Sequence, residues 1–308
     1  MRFTLRQMEV FVAVAQHESV SRAAESLSLS QSAASTSLTE LERQFDCQLF
    51  DRLGKRLKLN ALGRTLLPQA VALLSRAQEI ESLLNGNTGF GSLEVGATLT
   101  VGNYLATLLL GRFMQRHPEC RAALHVHNTV QIVQMVAHFE LDLGLIEGDC
   151  QHPDLEVTPW VEDELVVFCA PDHPLARRGL ATLEELRGEA WILREKGSGT
   201  RSSFDRALRQ QHGNLNVRLE LEHTEAIKRA VESGLGIGCI SRLALRDAFR
   251  RGSLVAVEVP ELDLRRQFCF VWHRQKHQSA AMREFIEQCR ALTAGVARSD
   301  LIQLPPIA

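Results

Sequence analysis

Residues 30–45 read Ser30-Gln31-Ser32-Ala33-Ala34-Ser35-Thr36-Ser37-Leu38-Thr39-Glu40-Leu41-Glu42-Arg43-Gln44-Phe45. Ser30 is a good N-cap, because its hydroxyl can accept from an orphan N–H of the first turn, and a helix is expected from Gln31 onward. Ala34, Leu38 and Leu41 repeat at i, i+4, i+7 and define an inward face. Gln31, Ser32, Ser35 and Thr36 fall on the opposite face, close to the N-terminus. Small polar side chains at the leading end suit a helix seated in the major groove of DNA. That groove is roughly 12 Å wide, so it admits one helix and only the leading residues reach base edges. Gln can pair bidentately with adenine, and the hydroxyls serve bases or phosphates. The same spacing fits an ordinary three-helix core with a solvated outer face, and the flanking segments decide between the two.

Upstream, Thr4-Leu5-Arg6-Gln7 has the form of a capping box, with apolar Leu5, Met8, Phe11, Val12 and Ala15 following at helical spacing. A second short helix runs over 22–27, and Ser28-Leu29 breaks it. Two short helices in this order make a helix-turn-helix. Downstream, Leu49-Phe50-Asp51-Arg52-Leu53-Gly54-Lys55-Arg56-Leu57-Lys58-Leu59-Asn60 reads as strand, glycine turn, strand. This is a wing, with Arg52, Lys55 and Arg56 set to neutralise phosphates. Through Arg64 the chain carries nine Lys/Arg against seven Asp/Glu, whereas the remainder carries 26 against 30. A mildly basic head on an acidic body is what a DNA reader needs.

Residues 61–88 form a linker whose helix runs to about 86. Leu66, Ala70, Leu73, Ala77, Ile80 and Leu84 are spaced 4-3-4-3-4 and form a heptad seam. Lying between two domains, the seam is expected to pair with its twin in a homodimer, and two-fold symmetry suits pseudo-palindromic promoter DNA. From 91 onward strands and helices alternate, as in an α/β body with mostly parallel strands in two lobes. Strands are expected at 93–97, 122–127, 142–146, 165–170, 191–193, 217–221, 236–240 and 268–272. The tail over 296–308, with Pro305-Pro306, is expected to be disordered.

The chain has 308 residues, 45% hydrophobic and 23% charged, and a net charge of −2. It can build cores, which excludes a disordered or fibrous protein. No apolar run approaches the ~20 residues needed to cross a bilayer, and the N-terminus lacks the features of a signal peptide, so a cytoplasmic location is expected. The seven cysteines, Cys47, Cys120, Cys150, Cys169, Cys239, Cys269 and Cys289, include no Cys-x-x-Cys pair. Neither a zinc ribbon nor a disulfide framework is supported, and no cofactor is expected.

Several strings carry a resemblance to the LysR-type transcriptional regulators. They are Leu5-Arg6-Gln7-Met8-Glu9-Val10-Phe11, Ser21-Arg22-Ala23-Ala24, Ser30-Gln31-Ser32-Ala33-Ala34-Ser35, Leu41-Glu42, Leu49-Phe50-Asp51-Arg52 and Gly63. The resemblance covers essentially the whole chain. It implies an α+β multidomain protein: a winged helix-turn-helix over 1–60, the linker helix, and a two-lobed α/β effector domain over 91–295, like a periplasmic binding protein. Lobe I would comprise about 91–160 plus 267–295, and lobe II about 161–266. Promoter DNA, a homodimer or homotetramer and RNA polymerase are the partners it implies. Three positions depart from the family pattern. Ser32 stands where many members have Pro, Thr36 where Arg is frequent, and Asn60 where Thr usually follows the wing. Ile146-Glu147-Gly148, Glu162-Asp163-Glu164 and the run from Trp191 to Arg201 resemble the branch that regulates sulfur assimilation and carbon fixation, which implies a small anionic effector.

Gly197-Ser198-Gly199-Thr200-Arg201, between a strand and a helix, combines converging N–H groups with the positive end of a helix. Ser198, Thr200 and Arg201 are therefore expected to hold an anion. Thr98 and Thr100 after the first strand, Asn128 and Thr129 after the second, and Thr224 in lobe II would complete the site at strand carboxyl ends. Glu147 would either disfavour oversized anions or join a salt bridge. The rival readings are an enzyme, a stand-alone small-molecule binding protein and a redox sensor. There is no Gly-x-Ser-x-Gly elbow and no phosphate loop, and Gly234-Leu235-Gly236-Ile237-Gly238 follows a helix and enters a strand, the reverse of a dinucleotide loop.

Overall fold

In the computed structural model, which describes residues 2–53, 56–86, 90–209 and 215–304, the expected helices are defined by their caps. Helix α1 (Leu5–His17) starts with the capping box, in which Thr4 Oγ1 accepts from the Gln7 N–H and the Gln7 side chain accepts from the Thr4 N–H. Helices α2 (Val20–Ser26) and α3 (Gln31–Gln44) are capped by Ser19 and Ser30. Ala34, Leu38 and Leu41 are buried against α1 and α2, as the spacing requires. Strands β1 (Phe50–Leu53) and β2 (Arg56–Leu59) pair antiparallel as the wing, and the Leu57 N–H docks it onto the Glu18 carbonyl. Asn60 caps helix α4 (Ala61–Leu84) by accepting from the Gly63 N–H at 2.8 Å, so the departure from Thr keeps the cap. Gly63 lies so close to the wing that a Cβ there would meet the Leu49 carbonyl oxygen at 2.2 Å.

The seam on α4 divides in two. Its first half, Leu66, Ala70 and Leu73, packs into the core of the head. Its second half ends uncovered, with Ile80 and Leu84 at 57% and 83% exposure.

The body holds one continuous sheet in two lobes. Strands β3 (Ser92–Thr98), β4 (Arg121–His127) and β5 (Leu143–Glu147) are parallel in the order β4-β3-β5. Helices α5 (Leu99–Val101), α6 (Thr107–Arg116) and α7 (Thr129–Ala137) belong to this lobe, with a π-helical turn at Gly102–Ala106 joining α5 to α6. Strand β6 (Leu155–Cys169) then spans both lobes, pairing with β11 (Arg265–His273) up to Glu164 and with β9 (Ile237–Ser241) from Leu165. Lobe II continues through α8 (Leu183–Arg187), β7 (Ala190–Arg194), α9 (Gly199–Arg209), β8 (Asn216–Leu221), α10 (Thr224–Glu232), β9, α11 (Arg242–Arg251) and the short β10 (Val255–Val257). Helix α12 (Ala280–Leu292) returns the chain to the core of lobe I.

Two expectations need correction. The sheet is mixed rather than mostly parallel, because the lobe-spanning strands β6 and β11 run antiparallel to each other and to their neighbours. The tail expected to be disordered is packed as far as Leu304: Ile302 is buried in the core of lobe I, Ser299 Oγ donates to Asp163 at 2.5 Å, and Arg298 reaches Glu164 at 2.8 Å. Residues 305–308, with the two prolines that suggested disorder, lie outside the described residues. Truncating Ile302 to alanine should lower the stability of the full chain by about 2–3 kcal/mol, read from denaturant unfolding, because a buried aliphatic side chain is replaced by a cavity.

Candidate functional site

The face of α3 opposite the core is open. Gln31, Ser32, Ser35 and Thr36 are all exposed, and their i, i+4 spacing places them on one side of the first two turns. Ser30 Oγ accepts from the Ala33 N–H and lies 3.0 Å from Ser32 Oγ, so a short hydroxyl ladder leads the helix. Arg52 and Arg56 are exposed on the wing, and Arg56 has only a loose 3.9 Å pairing with Glu18. Lys55, expected at the wing's tip, lies outside the described residues. Exposed cations beside an exposed polar helix start form a surface that can neutralise phosphates while side chains approach base edges.

In the body, the expected ligand residues lie at the carboxyl ends of neighbouring parallel strands. Thr98 ends β3 next to Glu147 at the end of β5, and Arg194 ends β7 next to Leu221 at the end of β8. The lobes touch where the start of α7 meets the start of α9. There the Gly199 N–H donates to Thr129 Oγ1 at 3.0 Å and the Val130 N–H to the Gly197 carbonyl. A Cβ on Gly199 would sit 2.1 Å from the Glu147 carbonyl oxygen, so only glycine permits this approach. A second contact joins Tyr104 of lobe I to Glu225 and Lys228 on α10.

The turn expected to cradle an anion already faces a carboxylate of the protein itself. Glu147 is buried, and its carboxylate accepts from Thr200 Oγ1 at 3.1 Å and from Arg266 at 3.0 Å. Arg266 also donates to Thr200 Oγ1 at 3.0 Å and to Asp163 at 2.7 Å. Asp163 further accepts from Ser241 and Ser299. Burial pushes the Asp163 carboxyl upward, with Arg266 and the two hydroxyls acting against that push. The salt-bridge reading of Glu147 is thus the one observed.

This network changes the standing of several expected ligands. Thr200 is occupied by Glu147 and Arg266, and Thr129 by Gly199. Asn128 caps α7 by accepting from the Gln131 N–H. Arg201 turns its guanidinium to Asp205 and Glu220, because those carboxylates lie within 2.7–2.9 Å of it. Four hydroxyl residues are left: Thr98, Thr100, Ser198 and Thr224, each at most 2% exposed. Thr98 Oγ1 reaches the Leu145 carbonyl only at 3.5 Å, a marginal hydrogen bond. Ser198 Oγ and Thr224 Oγ1 are buried with no hydrogen-bond partner among the described residues. A buried hydroxyl left unpaired costs about 1–3 kcal/mol.

Sequence reading did not anticipate Asp163 and Arg266 as a pair. The available signal was a charged cluster on each of two lobe-crossing strands, of opposite sign, at Glu162-Asp163-Glu164 and Arg265-Arg266. The cysteines give no support to a redox role. Burial holds every thiol above its ordinary range, with Cys120, Cys169 and Cys269 pushed up to about 11, and such groups are poor thiolates. His125 pairs with Glu94 at 2.8 Å.

Comparison with known proteins assigns both halves of the molecule. Residues 5–64 match the model of the bacterial regulatory helix-turn-helix protein, lysR family, and residues 87–294 match the LysR substrate binding domain. The HTH-type transcriptional regulator YeiE of Escherichia coli K12, itself named as uncharacterized, is 45% identical over 289 residues, which is 94% of this chain and 98% of that protein. The RuBisCO operon transcriptional regulator of Allochromatium vinosum is 36% identical over 291 residues, 93% of this chain and 96% of that one. The regulatory domain of CcmR from Synechocystis, solved in complex with 2-PG, is 31% identical with a TM-score of 0.63, covering 68% of this chain and 99% of the domain. With a winged head, a long linker helix and a two-lobed α/β body that both match, the chain belongs to the LysR family of transcriptional regulators, in the branch that includes regulators of carbon fixation.

Proposed function

We propose that this regulator reads a pseudo-palindromic promoter site as a symmetric dimer joined along α4, and that a compact anion held between the lobes switches it. Gln31, Ser32, Ser35 and Thr36 would meet base edges, while Arg52, Lys55 and Arg56 would neutralise phosphates. The observation that carries the effector reading is the pair of buried hydroxyls on Ser198 and Thr224, unpartnered among the described residues, together with the buried Thr98 and Thr100 of lobe I. Hydroxyl donors of this kind suit an oxyanion, and CcmR with its bound 2-PG is consistent with that chemistry. Anion binding would favour one spacing of the lobes over another and so bias how the two heads sit on DNA. In this reading the protein works in the cytoplasm, contacts RNA polymerase from its promoter site, forms dimers or tetramers, and performs no catalysis. No described helix is long and apolar enough to cross a membrane.

Gel retardation of the chain's own upstream DNA is the direct test. Retardation should weaken steeply with salt, and each of Arg52→Ala and Arg56→Ala should reduce the slope of log K against log salt by about 1. Retardation indifferent to salt, or unaltered slopes in both variants, would remove the wing from the DNA contact.

A further inference from the structure

A buried arginine at the carboxyl end of β7 has no role in any of the contacts described so far. Arg194 ends β7 and is 1% exposed. Its Nε and Nη2 are held by Glu195 in a two-pronged pair at 2.8 and 3.0 Å, while Nη1 is buried with no partner among the described residues. Trp191 and Leu193 on β7 pack towards α9, and Ile192 packs towards α10 and α11. Strand alternation therefore sends Arg194 to the α10 face. That face also carries Thr224, the first residue of α10, whose hydroxyl is likewise buried and unpartnered. The N-terminus of α10 receives no side-chain cap from His223, so its leading N–H groups are not covered by that residue. Tyr104 of lobe I packs on the same cluster and bonds Glu225 in the first turn of α10.

From these facts we infer that Arg194 and Thr224 form the charge-reading subsite of the effector cleft, with Arg194 Nη1 and the start of α10 taking the anionic head of a compact oxyanion and Glu195 acting as the competing internal counter-ion. This rests on the anion reading above and names the residues that would select charge. Three kinds of donor lie on one face of the sheet: a guanidinium N–H, a hydroxyl and a helix start. Glu195 limits what they can take. Because it already neutralises Arg194, the subsite offers hydrogen bonds but little net positive charge, which matches a small anion of low charge. Removing the negative charge of Glu195 leaves Arg194 as an unbalanced cation and should draw in more highly charged oxyanions.

The test is calorimetric titration of the full-length chain with sulfate, inorganic phosphate and 2-PG, each against a chloride background. At least one should bind the wild type. Glu195→Gln should tighten that binding at least tenfold, most for the anion of highest charge, and Arg194→Gln should weaken it at least tenfold. The gain in Glu195→Gln is the informative arm. A merely structural Arg194–Glu195 pair predicts loss or no change on removing Glu195, and this arm stands even if Arg194→Gln fails to fold. If none of the three anions binds the wild type, the anion reading falls and this inference with it. If an anion binds the wild type and Glu195→Gln binds it no more tightly, the inference alone is overturned.

Discussion

Replacing Arg266 by methionine should lower the folding stability of this regulator by about 3–5 kcal/mol, although the two side chains have similar reach. The guanidinium is fully buried and bonds Glu147 and Asp163, themselves buried, together with Thr200. Taking it away leaves two carboxylates in the interior without a counter-charge, the costly way to break a buried ion pair. The pH dependence identifies the cause. The folded Asp163 carboxyl lies above its ordinary range because of burial, and without Arg266 it should rise further. A group raised on folding contributes stability that is fully present below its unfolded value and is lost as pH rises through the folded value. The variant's deficit should therefore be largest at neutral and mildly alkaline pH and shrink on acidification. Urea unfolding of both proteins between pH 5 and 8 measures it. A deficit that is small, or that grows in acid, would mean the cluster is not held by charge.

The cluster also has a mechanical place. Glu147 ends β5 in lobe I, Thr200 lies in the first turn of α9 in lobe II, and Arg266 and Asp163 sit where the two spanning strands leave one lobe for the other. Thr200 therefore ties the turn over 197–201 directly to the point where the spanning strands change lobe. Ser299 bonds the same Asp163, and Arg246 on α11 donates to the Ile302 carbonyl, so the packed tail fastens lobe II to the same point. Any change in lobe spacing must rearrange these bonds, so an effector that alters the spacing acts against a defined resistance.

What could be read beforehand, and what could not, follows from the range of the interactions involved. The three head helices are set by local caps at Thr4, Ser19 and Ser30 and by a short apolar repeat, and those signals lie within a few residues of each other. The first half of β6 gave no such signal. Pro159 interrupts it and Glu162-Asp163-Glu164 make it look like a loop. It is a strand because an extra residue at Trp160, between the Phe268–Val161 and Cys269–Pro159 pairs, bends the chain beside Pro159, and because Arg266, a hundred residues away in sequence, neutralises Asp163. The ligand turn shows the same limit. Its glycines and hydroxyls announced an anion site, yet the anion it faces is Glu147, which only the meeting of the lobes brings there. The tail was misread for the related reason that Ile302 and Ser299 find their partners in a distant core.

The regular spacing along α4 was legible, but not that the seam serves two masters, and this leads to the second large effect. Leu66, Ala70 and Leu73 are committed to the head, so altering them would damage the domain that reads DNA. Ile80 and Leu84 are exposed, and with Leu5, Leu74 and Ala77 they form the apolar part of a groove that Glu9, Gln78 and Glu81 complete. The double substitution Ile80→Asp, Leu84→Asp should therefore leave each chain folded, with an unchanged far-ultraviolet circular dichroism spectrum, while placing two carboxylates in any helix–helix contact made there. Buried without partners, they would oppose pairing by several kcal/mol. Two heads held together bind a two-part site with a high effective concentration, and separated heads lose that advantage, so affinity for a palindromic site should fall more than a hundredfold. Affinity for a single half-site should change little, because the head's own contacts are intact. Analytical ultracentrifugation and gel retardation on both sites measure the two halves of the claim. If the variant remains associated and grips the palindrome as tightly as the wild type, the pairing surface lies elsewhere on the molecule and the exposed end of α4 has another purpose.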